Sequence, residues 1–184
     1  MNKNVEDIYP LSPIQEGMLF QEIYEPGENV YLVQISCRLH GELDVAAFRR
    51  AWEEVLKRHQ ALRTAFVWKK TPKPLQVVGR EPTLPFRLED WSHLAEVEQK
   101  ARLEAFLQED RAEGFELSRP PLLRVALMKL APETHAFVWT LHHLVVDGWS
   151  YPMVLGEVLT AYDTLTAGKE LKLAPRRPFR DYIA

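Results

Sequence analysis

Two different hydrophobic patterns predict two kinds of β-strand in this chain. Val33, Ile35, Cys37 and Leu39 alternate with polar residues, which is typical of a strand with one buried face. Cys37 is therefore predicted to be a buried small apolar side chain and not a nucleophile. Residues 136–141 form a nearly continuous apolar run. Such a run favours a central strand that is covered on both faces.

Helix signals alternate with the strand patterns. Ser12, Pro13 and Gln15 make a capping-box sequence with proline at the first helical position. Asp44 is placed to cap a second helix, whose apolar residues recur on one face. The four predicted helices cover 12–20, the segment after Asp44, 91–112 and 152–167.

The remaining patterns complete a layered architecture. Residues 62–68 and 75–78 predict a hairpin, and 122–130 predict another strand before the central one. Strands mixed with helices indicate an α/β, or α+β layered, unit with a mixed sheet and flanking helices. The 184 residues, 46% of them hydrophobic, suffice for one packed core.

Composition excludes several classes of function. Lys and Arg number 23 against 26 Asp and Glu, a formal charge of −3, so no basic excess favours nucleic-acid binding. No apolar stretch approaches the roughly 20 residues that a bilayer crossing needs. The one cysteine cannot form an internal disulfide, which fits a reducing cytoplasm.

Candidate chemistry collects where the predicted central strand ends. His142 and His143 are adjacent there, and Asp147 and Gly148 follow after a short apolar turn. Adjacent strand residues point to opposite faces, so one imidazole can reach a cleft while the other packs inward. Gly148 can take a positive φ and let a substrate approach the backbone.

Two other interpretations of this cluster stay open. A buried structural histidine with an Asp-Gly turn would account for most of these residues without catalysis. Zinc is a third possibility, because histidine and aspartate both bind it. Local spacing supplies no third ligand, and the two histidines diverge, so no metal site is predicted.

Three motifs resemble one enzyme family. His142-His143-x-x-x-Asp147-Gly148 resembles the HHxxxDG signature of condensation domains of nonribosomal peptide synthetases. The stretch 11–20, LSPIQEGMLF, resembles the opening motif of these domains, and 58–66, RHQALRTAF, resembles their RHxxLRTxF motif. The order and spacing of all three motifs match.

The resemblance implies a chloramphenicol-acetyltransferase-like fold and an acyltransferase activity. Family members have two such lobes with a channel between them, and they join an upstream acyl or peptidyl thioester to a downstream aminoacyl amine. Both substrates arrive on 4′-phosphopantetheine arms of donor and acceptor carrier proteins, so no directly bound cofactor is expected. Residues 1–184 are expected to be the N-terminal lobe, without the C-terminal lobe or an adjacent adenylation domain, and this lobe alone is expected to be inactive.

The family motif also implies roles for its residues. The catalytic motif comprises His143, His142, Asp147 and Gly148. His143 is expected to face the channel, as a proton acceptor or a positioning group, and His142 to orient the strand end. Asp147 is expected to be structural, and Arg63, from the second matching motif, is its candidate ion-pair partner.

Neighbouring residues are assigned to the channel wall and to support. Trp149 and Ser150 are expected to line the substrate channel beside Gly148, although helix capping is an alternative role for Ser150. Arg58 and His59 close the second helix, where cations suit the negative end of the helix dipole.

Two alternative functions remain open from the sequence. Acyltransferases that use coenzyme A share an HxxxD core and the same general fold. A carrier-docking lobe without catalytic activity is the alternative from a different class. Trials with acyl-coenzyme A and with loaded carrier proteins would separate these functions.

Overall fold

The computed structural model of the protein describes residues 4–25, 27–174 and 176–183, which build two sheets and their flanking helices. The strands are β1 (Val5–Pro10), β2 (Leu32–His40), β3 (Thr64–Val67), β4 (Leu75–Gly79), β5 (Phe86–Asp90), β6 (Leu123–Ala131) and β7 (Thr134–His142). The helices are α1 (Pro13–Tyr24), α2 (Val45–Arg58), α3 (Glu96–Glu113), α4 (Ser150–Thr166) and the short α5 (Arg180–Ile183), with a 3₁₀ turn at Ala61–Arg63.

The larger sheet has the strand order β2-β7-β6-β5, with β5 parallel to β6 and the other pairs antiparallel. Strand β7 therefore has a neighbour on each side, and all its residues after Thr134 are buried. This confirms the prediction of a doubly covered central strand. The smaller sheet, β1-β4-β3, contains the predicted hairpin as β3 and β4.

The two faces of β7 serve two separate apolar clusters. Trp139 faces α2, where its ring centroid lies 5.1 Å from that of Trp52. Val138, on the opposite face, belongs to the cluster that includes Phe106 of α3. The sheet is thus a middle layer, and the end of β7 emerges between helices.

The two predicted caps are confirmed. Ser12 Oγ accepts from the Gln15 backbone N–H at 3.3 Å, and Gln15 Oε1 accepts from the Ser12 N–H at 3.0 Å. Asp44 Oδ1 accepts from the Ala47 N–H at 2.9 Å. These contacts start α1 and α2 at the positions that the sequence predicts.

The predicted start of the third helix is wrong, because α3 begins at Glu96 and not near Trp91. Asp90 Oδ1 accepts from both the backbone N–H (2.9 Å) and the hydroxyl (2.5 Å) of Ser92. Such local side-chain bonds satisfy the backbone in a turn and compete with helix formation. The helix follows only after this turn.

Cys37 is exposed, which contradicts its predicted burial. The residue lies in β2, the edge strand of the larger sheet, where the segment 36–38 is exposed. An edge strand has a neighbour on only one side, so alternation alone does not bury its whole apolar face. Strands β1 and β5 were not predicted, and both are short outer strands of their sheets.

None of the helices in the described ranges combines the length and the apolar character needed to cross a membrane. Across the same ranges, His, Cys, Asp and Glu side chains form no group of three that could hold a metal ion.

Candidate active site

The two adjacent histidines differ in burial: His142 is the last residue of β7, and His143 is the first residue of the turn that follows. His142 is only 3% exposed. His143 is half-buried and lines a cavity of about 760 Å³. Only the second imidazole is therefore in a position to meet a substrate.

The hydrogen bonds of His142 define its tautomer. Its Nδ1 accepts from the Leu144 backbone N–H at 3.2 Å, so the proton of the neutral ring belongs on Nε2. That nitrogen lies 3.4 Å from Glu22 Oε1. Burial, with a contribution from neighbouring His143, lowers the pKa of His142 to about 4. A neutral imidazole thus holds the first peptide of the loop after the strand.

This lowered pKa predicts that acid destabilises the protein through His142. The unfolded state takes up a proton near the ordinary histidine pKa of about 6.5, but the folded state resists protonation until about pH 4. The free energy of unfolding should therefore fall as the pH drops from about 6.5 to 4. Urea unfolding across this range measures the slope, and His142→Asn, which keeps an acceptor near Nδ1 but cannot titrate, should flatten it. An equal slope in both proteins would contradict the assignment.

The backbone of His143 is held by a hydrogen bond, and its half-buried ring borders the cavity. Its N–H donates to the Tyr31 carbonyl at 2.8 Å. The ring centroid lies 6.0 Å from that of Tyr151. Nδ1 is buried without a hydrogen bond to the described residues, so Nε2 is the ring nitrogen available to the cavity.

The cavity beside His143 has a predominantly apolar lining with polar groups at a few positions. Its walls come from the start of α1, the loop 143–147, the start of α4 and the segment 177–182. Its buried polar residues are Ser12, Gln15 and Gln76, at 8%, 7% and 1% exposure, and charged Asp147, Arg177 and Asp181 also line it. Apolar walls with few, well-placed polar groups are typical of small-molecule sites.

The predicted ion pair between Asp147 and Arg63 is wrong. Asp147 is exposed, and its Oδ1 accepts from the Ser150 N–H (2.9 Å) and hydroxyl (2.6 Å) at the start of α4. Arg63 instead lies 2.6 Å from Glu6 Oε2 in β1. The physical reason is local: a helix start offers the carboxylate unpaired donors, so no distant arginine is required.

This placement predicts a modest effect for Asp147→Ala. Loss of a carboxylate that accepts from the first N–H of α4 should lower the free energy of unfolding by about 0.5–2 kcal/mol, as at other helix starts, and leave the protein folded. Asp44→Ala, which removes the side-chain N-cap of α2, is the control for losing a carboxylate acceptor at a helix start. Urea unfolding measures both variants. Complete unfolding of the Asp147 variant alone would show that the carboxylate has a further partner.

The channel residues that follow Asp147 are more open than predicted. The φ of Gly148 lies outside the left-handed region, contrary to the expected positive φ, and an added Cβ would meet no atom within 4 Å. Trp149 is 87% exposed. Ser150 lines the cavity and donates to Asp147. Within the described residues, only Ser150 of these three borders the cavity.

Arg58 and His59 lie outside this cavity and surround Glu157 of α4. His59 Nε2 is 2.7 Å and Arg58 Nε 3.4 Å from Glu157 Oε2. Arg176 adds a third partner to the same Glu157 carboxylate. Burial would raise the pKa of Glu157, but hydrogen bonds from His59 and Arg176 outweigh burial and lower it. The cluster joins α2 and α4 to the C-terminal segment that forms one cavity wall.

Comparison with known proteins decides the family. The family model described as "Condensation domain" matches residues 5–184. This chain belongs to the condensation domain family. One of the linear gramicidin synthase proteins of Brevibacillus parabrevis is 45% identical to this condensation chain over 181 residues, which are 98% of the chain and 2% of that protein. A plipastatin synthase protein of Bacillus subtilis (strain 168) is 38% identical over 97% of the chain and 7% of that protein.

Solved structures agree on the fold of the condensation chain. The starter condensation domain of rhizomide synthetase superposes with a TM-score of 0.86 at 22% identity, covering 97% of this chain and 44% of that one. The first condensation domain of the calcium-dependent antibiotic synthetase, in complex with a substrate analogue, gives 0.85 at 22% identity, covering 98% and 44%. The fold is thus the chloramphenicol-acetyltransferase-like α/β fold expected from the resemblance. The chain spans less than half of these solved chains.

Sequence reasoning located the two histidines but missed the residues that surround them. Glu22 beside His142, Gln76 in the cavity and Tyr151 against His143 come from three different elements. No spacing in the sequence connects them to the strand end. The capping-box pattern indicated that Gln15 starts a helix, but nothing in the sequence indicated its contact with the loop after His143.

Proposed function

We propose that this chain acts in nonribosomal peptide synthesis by forming an amide bond between an upstream acyl or peptidyl thioester and a downstream aminoacyl thioester. Both substrates are carried on phosphopantetheine arms of carrier proteins. The chain serves as the N-terminal lobe of the condensation domain, working with a C-terminal lobe and an adjacent adenylation domain. The observation that carries the proposal is His143, which presents one imidazole nitrogen to the cavity in a chain of this family.

The reaction requires little chemistry from the protein. The acceptor amine attacks the carbonyl carbon of the donor thioester, a C–N bond forms, and the C–S bond breaks. The proton that the amine gives up ends on the departing thiolate. His143 Nε2 takes this proton in transit or holds the amine in line. Asp147 accepts from Ser150 at the start of α4 and takes no part in the transfer.

A reconstituted reaction tests the proposal. The complete condensation domain containing this chain is combined with an acyl-loaded donor carrier and an aminoacyl-loaded acceptor carrier, and the amide product on the acceptor is measured by mass spectrometry. Product formation that depends on both loaded carriers supports the proposal. Carrier binding without product would support a docking lobe, and turnover with acyl-coenzyme A in place of the donor carrier would support the coenzyme A alternative.

A further inference from the structure

The backbone N–H and carbonyl of Leu144, the residue directly after His143, are both bound by buried side chains. Its N–H donates to His142 Nδ1 at 3.2 Å, and its carbonyl accepts from Gln15 Nε2 at 2.9 Å. Leu144 itself is 3% exposed. A backbone with both polar groups satisfied in a buried environment has little freedom to rotate.

The Gln15 carboxamide can lie only one way round in this network. Its Oε1 accepts from the Ser12 backbone N–H at 3.0 Å, which is a donor only. Its Nε2 meets the Leu144 carbonyl, which is an acceptor only. The capping box and the loop contact therefore demand the same orientation of one amide.

Gln76 locks this amide from the other side. Its Nε2 donates to Gln15 Oε1 at 2.9 Å, and Gln15 Nε2 lies 3.2 Å from Gln76 Oε1. Gln76 Nε2 also lies 3.2 Å from the Pro10 carbonyl in β1. Because Gln76 is in the middle strand of the smaller sheet, Gln15 connects that sheet to the loop of His143.

We propose that Gln15 is a positioning residue for His143. Its donation to the Leu144 carbonyl fixes the Leu144–Val145 peptide, one residue beyond His143, while His142 holds the Leu144 N–H, and the two contacts together aim the imidazole into the cavity. This role goes beyond capping α1 and rests on the proposed function, because the effect of positioning is read through amide formation.

The test replaces Gln15 with methionine, which removes the donor, adds no charge and nearly preserves volume. In the complete domain with loaded carriers, kcat should fall on the order of 10²-fold with little change in KM, the size expected when a reacting group is misplaced by about 1 Å. The ring resonances of His143, observed by NMR with ¹⁵N-labelled histidine, should shift and broaden. Gln15→Glu, whose ionised side chain still accepts but cannot donate, should lower kcat likewise.

Gln99→Met is the matched control. Gln99 Nε2 also donates to backbone carbonyls, those of Trp91, Leu94 and Leu130, but it lies in α3 outside the cavity. This variant should lose thermal stability and keep kcat and the His143 resonances.

The outcomes are separable. An unchanged kcat in a folded Gln15→Met or Gln15→Glu protein would overturn the proposal, as would a rise in KM alone, which would indicate direct substrate contact. An equal loss of kcat in Gln99→Met would assign the effect to stability and also overturn it. If His143→Ala retains full activity while the wild type forms product, the proposed role of His143 fails first. A shift of the His143 resonances in Gln15→Met would still support its positioning.

Discussion

Replacing His143 with alanine is expected to slow amide formation by about 10²–10⁴, the usual contribution of a proton-transfer group. The lower end of this range applies if the histidine mainly positions the amine. A thioester is already activated, and holding two tethered substrates together can itself lower the barrier by about 7–11 kcal/mol. Single-turnover formation of the amide product on the acceptor carrier measures the effect.

His143→Gln separates the two roles of this residue. Glutamine can donate and accept hydrogen bonds but cannot carry a proton between atoms at neutral pH. If His143 transfers the proton, the glutamine variant should be as slow as the alanine variant. If His143 positions the amine, glutamine should restore much of the rate.

His40 provides the control for the histidine series. It is exposed at the end of β2, away from the cavity, so His40→Ala should react at the wild-type rate. Full activity in both His143 variants would remove the residue from the mechanism.

Arg63→Met is expected to lower the free energy of unfolding by about 3 kcal/mol. Arg63 is 6% exposed, and its guanidinium donates to the carbonyls of Lys57 (3.1 Å) and Gly79 as well as to Glu6. Methionine keeps the apolar part of the side chain but leaves two backbone carbonyls without a donor. Each unpaired buried carbonyl costs about 1–3 kcal/mol. The loss of the Glu6 ion pair adds little to this cost, because the Glu6 side chain is 30% exposed and can be solvated by water. Urea denaturation measures the loss.

Arg49→Met is the matched control for this prediction. Arg49 makes an exposed pair with Glu53 one turn along α2, and such pairs contribute about 0–1 kcal/mol. Equal, small losses in both variants would show that the buried arginine is not a connector of α2, β4 and β1.

The same arginine predicts a dependence on pH. Its hydrogen bond lowers the pKa of Glu6 below the ordinary value, although burial works in the opposite direction. The resulting stability is present above the unfolded pKa near 4.5 and is lost as the pH falls through the lower folded pKa. Arg63→Met should reduce this acid sensitivity.

Local residues specified several parts of the site. The start of α1 was predictable because Ser12 and Gln15 satisfy each other across one turn. The burial of His142 was predictable because it is the last residue of a strand covered on both faces. Neighbouring atoms in the chain decide both features, so the order of residues contains the necessary information.

Only tertiary structure decided the partners of the charged and polar side chains. Arg63 pairs with Glu6 and not with Asp147. Gln15 hydrogen-bonds the Leu144 carbonyl and Gln76. These partners lie 57, 129 and 61 positions away along the chain. A sequence motif shows which residue types are present, but it does not show which groups folding brings within the roughly 3 Å that a hydrogen bond needs. The sequence by itself placed the two histidines at the end of β7, whereas folding decided that Gln15 of α1 and Gln76 of β4 lie beside the loop that follows them.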